Sequence, residues 1–92
     1  MVRFTNHVAL NRTTTSASSE AISDRSNLSP IKWFTLAVDY DAYIGINEDA
    51  TSNGIKLLAG ESYTSPEEVR VIKITILRAT DNNVTVRGSA WC

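Results

Sequence analysis

Short stretches of β-forming residues alternate with polar turns along most of this chain. The clearest alternation lies over 69–78, where Ile74 and Ile76 occupy one parity and polar Lys73 and Thr75 occupy the other. A period of two residues is typical of a strand with one buried side and one side facing solvent. We therefore predict a strand here, with Ile72, Ile74 and Ile76 on one face and Lys73 and Thr75 on the other.

Similar stretches recur at intervals of about ten residues and are separated by turn residues. They predict further strands over 31–38, 42–47, 55–59, 62–64 and 84–91. Gly45 lies inside a strand, which indicates a bulge or the close approach of another backbone. Asn53 and Gly54 form the pair best suited to a tight hairpin turn with positive φ. With no convincing helix, the pattern predicts an all-β fold, a small antiparallel β-sandwich or jelly-roll-like barrel with an extended N-terminal arm.

The first thirty residues differ in composition from the rest. Val8 and Leu10 share a parity, as in a strand with one buried face, whereas 12–20 is rich in Ser and Thr and poor in apolar residues. Such a tract is typical of an extended arm that orders on a neighbouring molecule, or of an ordinary solvent-facing edge strand. We predict an N-terminal arm and edge strand over 1–30 and a β-sandwich domain over 31–92.

Charge and cysteine content exclude several classes of function. The net charge of -1 and the pI of about 5.7 provide no basic surface for a phosphate backbone, so we expect no nucleic-acid partner. The polar first residues and the lack of an apolar stretch of about 20 residues predict a soluble protein with no membrane partner. A single cysteine, Cys92, allows neither an intrachain disulfide nor a thiolate zinc cluster, and we expect a frayed terminal thiol.

Few residues offer catalytic chemistry. His7 is the single histidine, so a nucleophilic site would need it beside Cys92 or a serine. Neighbouring acids such as Asp39 and Asp41 are typical of solvated turns. The loop 47–54 resembles an oxygen-rich calcium loop but lacks the ligand alternation of an EF-hand. We predict a protein that is not an enzyme and has no cofactor and no bound metal.

A chain of this size buries little more apolar surface than is needed to offset its ordering entropy, so association with neighbours would stabilise it. Most aromatic residues are expected in the core. Trp91 is the exception, because a tryptophan so near the chain end is expected under an edge strand or in a subunit interface. The predicted partner-contact residues are Arg3, Phe4, Leu10, Arg12 and Trp91.

One segment resembles a known class of proteins. A Tyr-Ile-Gly triplet at 43–45 leads through Thr-Ser-Asn-Gly at 51–54 to Leu-Leu-Ala-Gly-Glu-Ser at 57–62. This pattern resembles small β-rich structural proteins of tailed bacteriophages, and the similarity extends loosely over 31–91. The chain departs from the pattern at Leu58, where a small residue is usual, and in its polar residues 47–49.

The resemblance implies a non-enzymatic virion component. It implies a capsid decoration or cement protein, or the base of a head fibre, that binds the major capsid protein and stabilises the phage head shell. Such a protein would be made in the host cytoplasm and reside on the capsid surface, and we expect a homo-oligomer, with a homotrimer favoured. The alternative is a tail or fibre adaptor, or a carbohydrate- or receptor-binding tip module.

Overall fold

Nine strands make up the regular structure of residues 6–65 and 70–92, the part of the chain that a computed structural model describes. This described part contains no helix. The strands are β1 (His7–Ala9), β2 (Arg12–Thr13), β3 (Glu20–Asp24), β4 (Trp33–Val38), β5 (Ala42–Ile46), β6 (Ile55–Leu57), β7 (Ser62–Thr64), β8 (Lys73–Arg78) and β9 (Thr85–Trp91).

The strands form two sheets in which every pairing is antiparallel. Sheet A has the order β1-β9-β4-β7, with β2 also paired to β9, and sheet B has the order β3-β8-β5-β6. β1 and β2 lie on the same side of β9, and one register runs from His7 opposite Trp91 to Thr13 opposite Thr85. They therefore occupy a single strand position.

The pairing order identifies the topology. The first strand position pairs with β9, β3 pairs with β8, β4 with β7 and β5 with β6, so the chain resembles one long antiparallel hairpin. Successive pairs fall alternately in sheet A and sheet B, which folds this hairpin over a common core. This arrangement is the jelly roll, a double-sheet solution that hides most strand edges. The predicted antiparallel β-sandwich or jelly-roll-like fold is confirmed.

The core lies between the facing sides of the two sheets. In β4, Phe34, Leu36 and Val38 are buried while the residues between them are half-buried, as a period of two requires. The Phe34 ring stacks on that of Tyr63 with centroids 5.8 Å apart. Sheet B contributes a matching set of buried residues, Ala42, Ile44, Leu57, Ile74 and Ile76.

A loop covers the opposite side of sheet B. The hydroxyl of Thr75 donates a hydrogen bond to the carbonyl of Glu48 at 2.7 Å, and Thr75 is 1% exposed. A Cβ on Gly45 would lie 2.5 Å from the Glu48 oxygen and 2.7 Å from the amide nitrogen of Ala50. Of the two alternatives predicted at Gly45, a bulge or the close approach of another backbone, the structure has the close approach. Thr75 lies on the face of β8 opposite to Ile74 and Ile76, and it is buried because this loop lies over it.

The turn predicted at Asn53-Gly54 differs in type. Gly54 donates its N–H to the carbonyl of Thr51 at 3.0 Å, but positive φ occurs, within the described residues, at Asn47 (φ 61) and Gly60 (φ 83). The tight hairpin with positive φ at Asn53-Gly54 is therefore a wrong prediction. The connection from β5 to β6 is the polar loop expected over 47–54, and its residues 48–50 lie over sheet B.

The N-terminal segment belongs to both sheets from His7 onward. Leu10 and Thr14 are fully buried, and the Thr14 hydroxyl accepts a hydrogen bond from the Val84 amide at 2.8 Å. The Ser/Thr tract contains β2, a connecting turn and the start of β3, which forms one edge of sheet B. Packing is thus continuous across the predicted boundary at residue 30.

Cys92 is also part of the core. It is 1% exposed, and its amide donates to the carbonyl of Asn6 at 2.9 Å. The expectation of a frayed terminal thiol is wrong. β9 lies between β1 and β4, so the strand leading to Cys92 has a neighbour on each side.

Candidate interaction surface

The side of sheet A that faces away from the core carries the candidate site, and we call it the outer face. Successive side chains of a strand point to opposite sides, so the alternate residues of β1, β9, β4 and β7 line it together. The register places Trp33 opposite Trp91 and Trp91 opposite His7. Three ring systems from three adjacent strands therefore form one row, which we call the aromatic row.

The rings of the aromatic row pack against one another. The centroids of Trp33 and Trp91 are 5.0 Å apart with ring planes at 51°, and His7 meets Trp91 at 5.3 Å and 60°. Both tryptophans are half-buried and His7 is exposed. Directly opposed residues on one side of an antiparallel pair are close enough for such contacts, which stabilise the sheet. The row is a partly exposed aromatic patch at one end of the outer face.

Short uncharged side chains fill the middle of the outer face. Hydroxyl pairs link neighbouring strands, Thr35 to Thr64 at 2.9 Å and Thr13 to Thr85 at 3.0 Å. Arg87 lies at the end opposite the aromatic row, opposite Ala37 in the register. Two open depressions flank Arg87. One is lined by Ala37, Val38, Asp39, Gly60, Thr85 and Arg87. The other is lined by Asn11, Arg12, Thr13, Thr85, Val86 and Arg87. The surface is broad and shallow.

The predicted partner-contact residues are distributed over different environments. Trp91 lies on the outer face as the centre of the aromatic row, and Arg12 is at the surface. Leu10 is fully buried, so its side chain offers no surface to a partner in this structure. Arg3 and Phe4 lie outside the described residues. His7 and Trp33 were not predicted as contacts, and only the strand register brings them beside Trp91.

Arg12 is held by Glu20, a residue that the sequence patterns did not single out. The Arg12 Nη2 lies 2.7 Å from Glu20 Oε1, and the amides of Thr15 and Ser16 donate to Oε2 at 2.9 and 3.3 Å. The hydrogen bond from Arg12, followed by those of the two amides, lowers the pKa of Glu20 below its ordinary value of 4.5. This ion pair links β2 of sheet A to β3 of sheet B.

Two further groups with shifted pKa values lie on the surface around sheet B. The hydroxyl and amide of Ser26 donate to Asp24 and lower the pKa of that carboxyl. Asp49 accepts a hydrogen bond from Lys73 Nζ at 2.9 Å and raises the pKa of the ammonium. Both sites are solvent-exposed, so these interactions mainly order the local loops.

The candidate catalytic residues are separated by the fold. His7 projects to the outer face, whereas Cys92 follows Trp91 on β9 and is buried on the core side. Asp39 and Asp41 each accept a backbone hydrogen bond, from the amides of Thr85 and Ala59 at 2.7 and 2.8 Å. These carboxylates therefore hold turns together.

The loop compared with a calcium site is organised by an amide side chain. Asn47 Oδ1 accepts from the Ile72 amide at 2.7 Å, and Nδ2 donates to the Arg70 carbonyl at 3.1 Å. Over 6–65 and 70–92, no three His, Cys, Asp or Glu side chains are grouped so that they could hold a metal ion. No helix in the same ranges is long and apolar enough to cross a membrane.

Comparison with known protein families, curated proteins and solved structures finds no match to this chain. The outer face therefore has to be interpreted from its own geometry and chemistry.

Proposed function

We propose that this chain is a non-enzymatic structural protein of a tailed-phage virion, a decoration or cement protein that binds the major capsid protein and stabilises the head shell. The observation that carries the proposal is the outer face of sheet A. It is broad and shallow, with short uncharged side chains between the aromatic row and Arg87. Such a face suits contact with a protein surface, which is wide, whereas small ligands bind in concave pockets.

Two other features support an assembly role. Aromatic side chains and arginine are enriched in protein interfaces, and the outer face has Trp33 and Trp91 at one end and Arg87 at the other. The jelly roll is a fold used in viral capsid and lectin domains. The fold supports the proposal by analogy, and function depends on the surface that a fold presents. The homotrimer expected from the sequence remains a prediction.

Binding to capsid shells tests the proposal. Purified chain is mixed with empty shells of the phage that encodes it, and bound protein is measured by cosedimentation, with shell stability followed by thermal melting. We expect stoichiometric binding and a higher melting temperature. Thr64→Lys places a long charged side chain on the outer face and should abolish binding, because Thr64 is exposed there.

The matched control is Thr51→Lys, which introduces the same charge on an exposed loop next to sheet B. It should bind like the original chain. Failure of the unsubstituted chain to bind shells, or equal loss of binding in the two variants, would contradict a capsid contact through the outer face.

A carbohydrate-binding tip module is the second candidate, and the aromatic row favours it because sugar rings stack on aromatic side chains. The planes of Trp33 and Trp91 are tilted by 51°, so the two rings do not form one flat platform for a sugar chain. This geometry favours the capsid role. Glycan-array binding that Trp33→Ala abolishes, together with no affinity for shells, would reverse the order of the two candidates.

A further inference from the structure

The open edge of sheet A at β1 and β2 carries a second site. Backbone hydrogen bonds at three points along this strand position show which residues bond to β9. The amides of Leu10 and Thr14 donate to the carbonyls of Gly88 and Val84, and the carbonyl of Asn6 accepts from the Cys92 amide. In an antiparallel ladder, pairs that exchange hydrogen bonds alternate with pairs that do not. The even-numbered residues therefore use their backbone groups toward β9.

The odd-numbered residues direct their N–H and C=O groups away from β9. They are His7, Ala9, Asn11 and Thr13. All of them are exposed, and no other strand of the described residues pairs along this edge. A row of unpaired backbone donors and acceptors is a template for another strand.

The remaining edges carry features that discourage strand pairing. β3 has a register shift between Ala21 and Ser23 and carboxylates at Glu20 and Asp24. β6 and β7 contain three residues each. Bulges, charges and short strands are the usual means by which proteins protect an edge. The edge of β1 and β2 is longer and keeps one register throughout.

We propose that this edge pairs with the same edge of a second copy of the chain, antiparallel and centred on Leu10. This register places His7 opposite Thr13 of the other copy and Ala9 opposite Asn11, so all the outward backbone groups find partners. No like charges oppose one another, because Arg12 projects from the other side of the strand and is paired with Glu20 of its own chain. The edge is thus complementary to itself, and the two sheets A become one continuous sheet.

A twofold contact of this kind makes a dimer in place of the trimer favoured by the sequence. It does not depend on the capsid role, because the isolated chain is sufficient to test it. The first measurement is the mass of the full chain by sedimentation velocity and native mass spectrometry over a wide range of concentration. A monomer–dimer equilibrium is expected.

Substitutions at Ala9 distinguish this edge from any other contact. Ala9→Pro removes an N–H that the ladder with β9 does not use, and Ala9→Lys adds a charge to an exposed strand position. Each should raise the dimer dissociation constant at least about tenfold, while the far-ultraviolet circular dichroism stays unchanged. Ala21→Lys introduces the same charge on the edge of sheet B and should leave the dimer intact.

Hydrogen exchange of the backbone amides should differ between the even-numbered and the odd-numbered residues of this edge. In the dilute monomer the amides of Val8, Leu10 and Arg12 should be protected, while those of His7, Ala9, Asn11 and Thr13 exchange rapidly. At high concentration both sets should be protected. A chain that stays monomeric or forms a trimer would overturn the proposal, as would a dimer that Ala9→Lys leaves intact. A monomer would leave this edge to a strand of another protein.

Discussion

The contact between Gly45 and the loop that follows it leads to a quantitative prediction for Gly45→Ala. The added Cβ would lie 2.5 Å from the Glu48 carbonyl oxygen and 2.7 Å from the Ala50 nitrogen, and it would also meet the Thr75 hydroxyl. Two of these three neighbours are backbone atoms, so rotation of a side chain cannot relieve the overlap. The loop has to move away from sheet B.

The magnitude follows from the contributions involved. Overpacking costs about 1–3 kcal/mol, and loss of the hydrogen bond from Thr75 to Glu48 costs about 1 kcal/mol. Replacing glycine by alanine also restricts the unfolded chain, which returns about 0.4–1 kcal/mol. These contributions give a net loss of about 1–3.5 kcal/mol in the free energy of unfolding. For a domain of this size, that loss lowers Tm by about 4–28 °C.

Urea unfolding followed by tryptophan fluorescence measures this loss. The matched control is Gly54→Ala, where a Cβ would lie 3.3 Å from the nearest atoms, and we expect a loss of less than about 1 kcal/mol. Adding Thr75→Ala to Gly45→Ala should restore little stability, because the backbone overlaps remain. If Gly45→Ala unfolds at the same urea concentration as the original chain, the loop does not pack on Gly45 and the reasoning is refuted.

Three further predictions use the same unfolding assay. Glu20→Gln should cost about 1 kcal/mol at pH 7. The pKa of Glu20 is lower in the folded chain, so the stability that its carboxylate contributes is present above the ordinary pKa of 4.5 and is lost as pH falls through the folded-state pKa. The variant should therefore lose less stability than the original chain between pH 7 and pH 3. Leu10→Ala should cost about 2–5 kcal/mol because the side chain is fully buried. The control Leu58→Ala, at a residue that is 50% exposed, should change stability by less than about 0.5 kcal/mol. Equal effects of the two substitutions would contradict the placement of Leu10 in the core. Gly60→Ala should cost about 1–2 kcal/mol because Gly60 has a φ of 83°, which L residues rarely adopt. Crowding contributes nothing, since no neighbouring atom lies within 4 Å of the added Cβ. An unchanged midpoint of urea unfolding would argue against this turn conformation.

The strands from β4 to β9 were predictable because their signals are local. Alternation around Ile74 and Ile76 and the turn residues between strands are properties of neighbouring residues, and the structure has strands at each predicted place. β3 was harder to recognise, since Glu20–Asp24 follows a Ser/Thr tract and contains a register shift that breaks the period of two. A bulge of this kind removes the signal on which such a prediction rests.

The candidate site was less predictable than the fold. Trp91 was expected under an edge strand or in a subunit interface. His7 and Trp33 join it only because β9 lies between β1 and β4. Arg12 was expected to contact a partner, and its carboxylate partner Glu20 lies on the other sheet. Pairings between strands far apart in the chain are not encoded in any local pattern.

By itself the sequence determined that the protein is all-β, that strands lie near the positions of β4 to β9, and that Gly45 lies either at a bulge or against another backbone. These properties depend on side-chain alternation, on turn residues and on the absence of a Cβ, all of which act over a few residues. The tertiary structure decided the order of the strands in the two sheets and the burial of Thr75 and Cys92. It also decided which residues of β1 and β2 direct their backbone groups away from β9. The physical reason is that hydrogen-bond pairing and burial are set by the strand or loop that packs alongside, and that neighbour is distant in the chain.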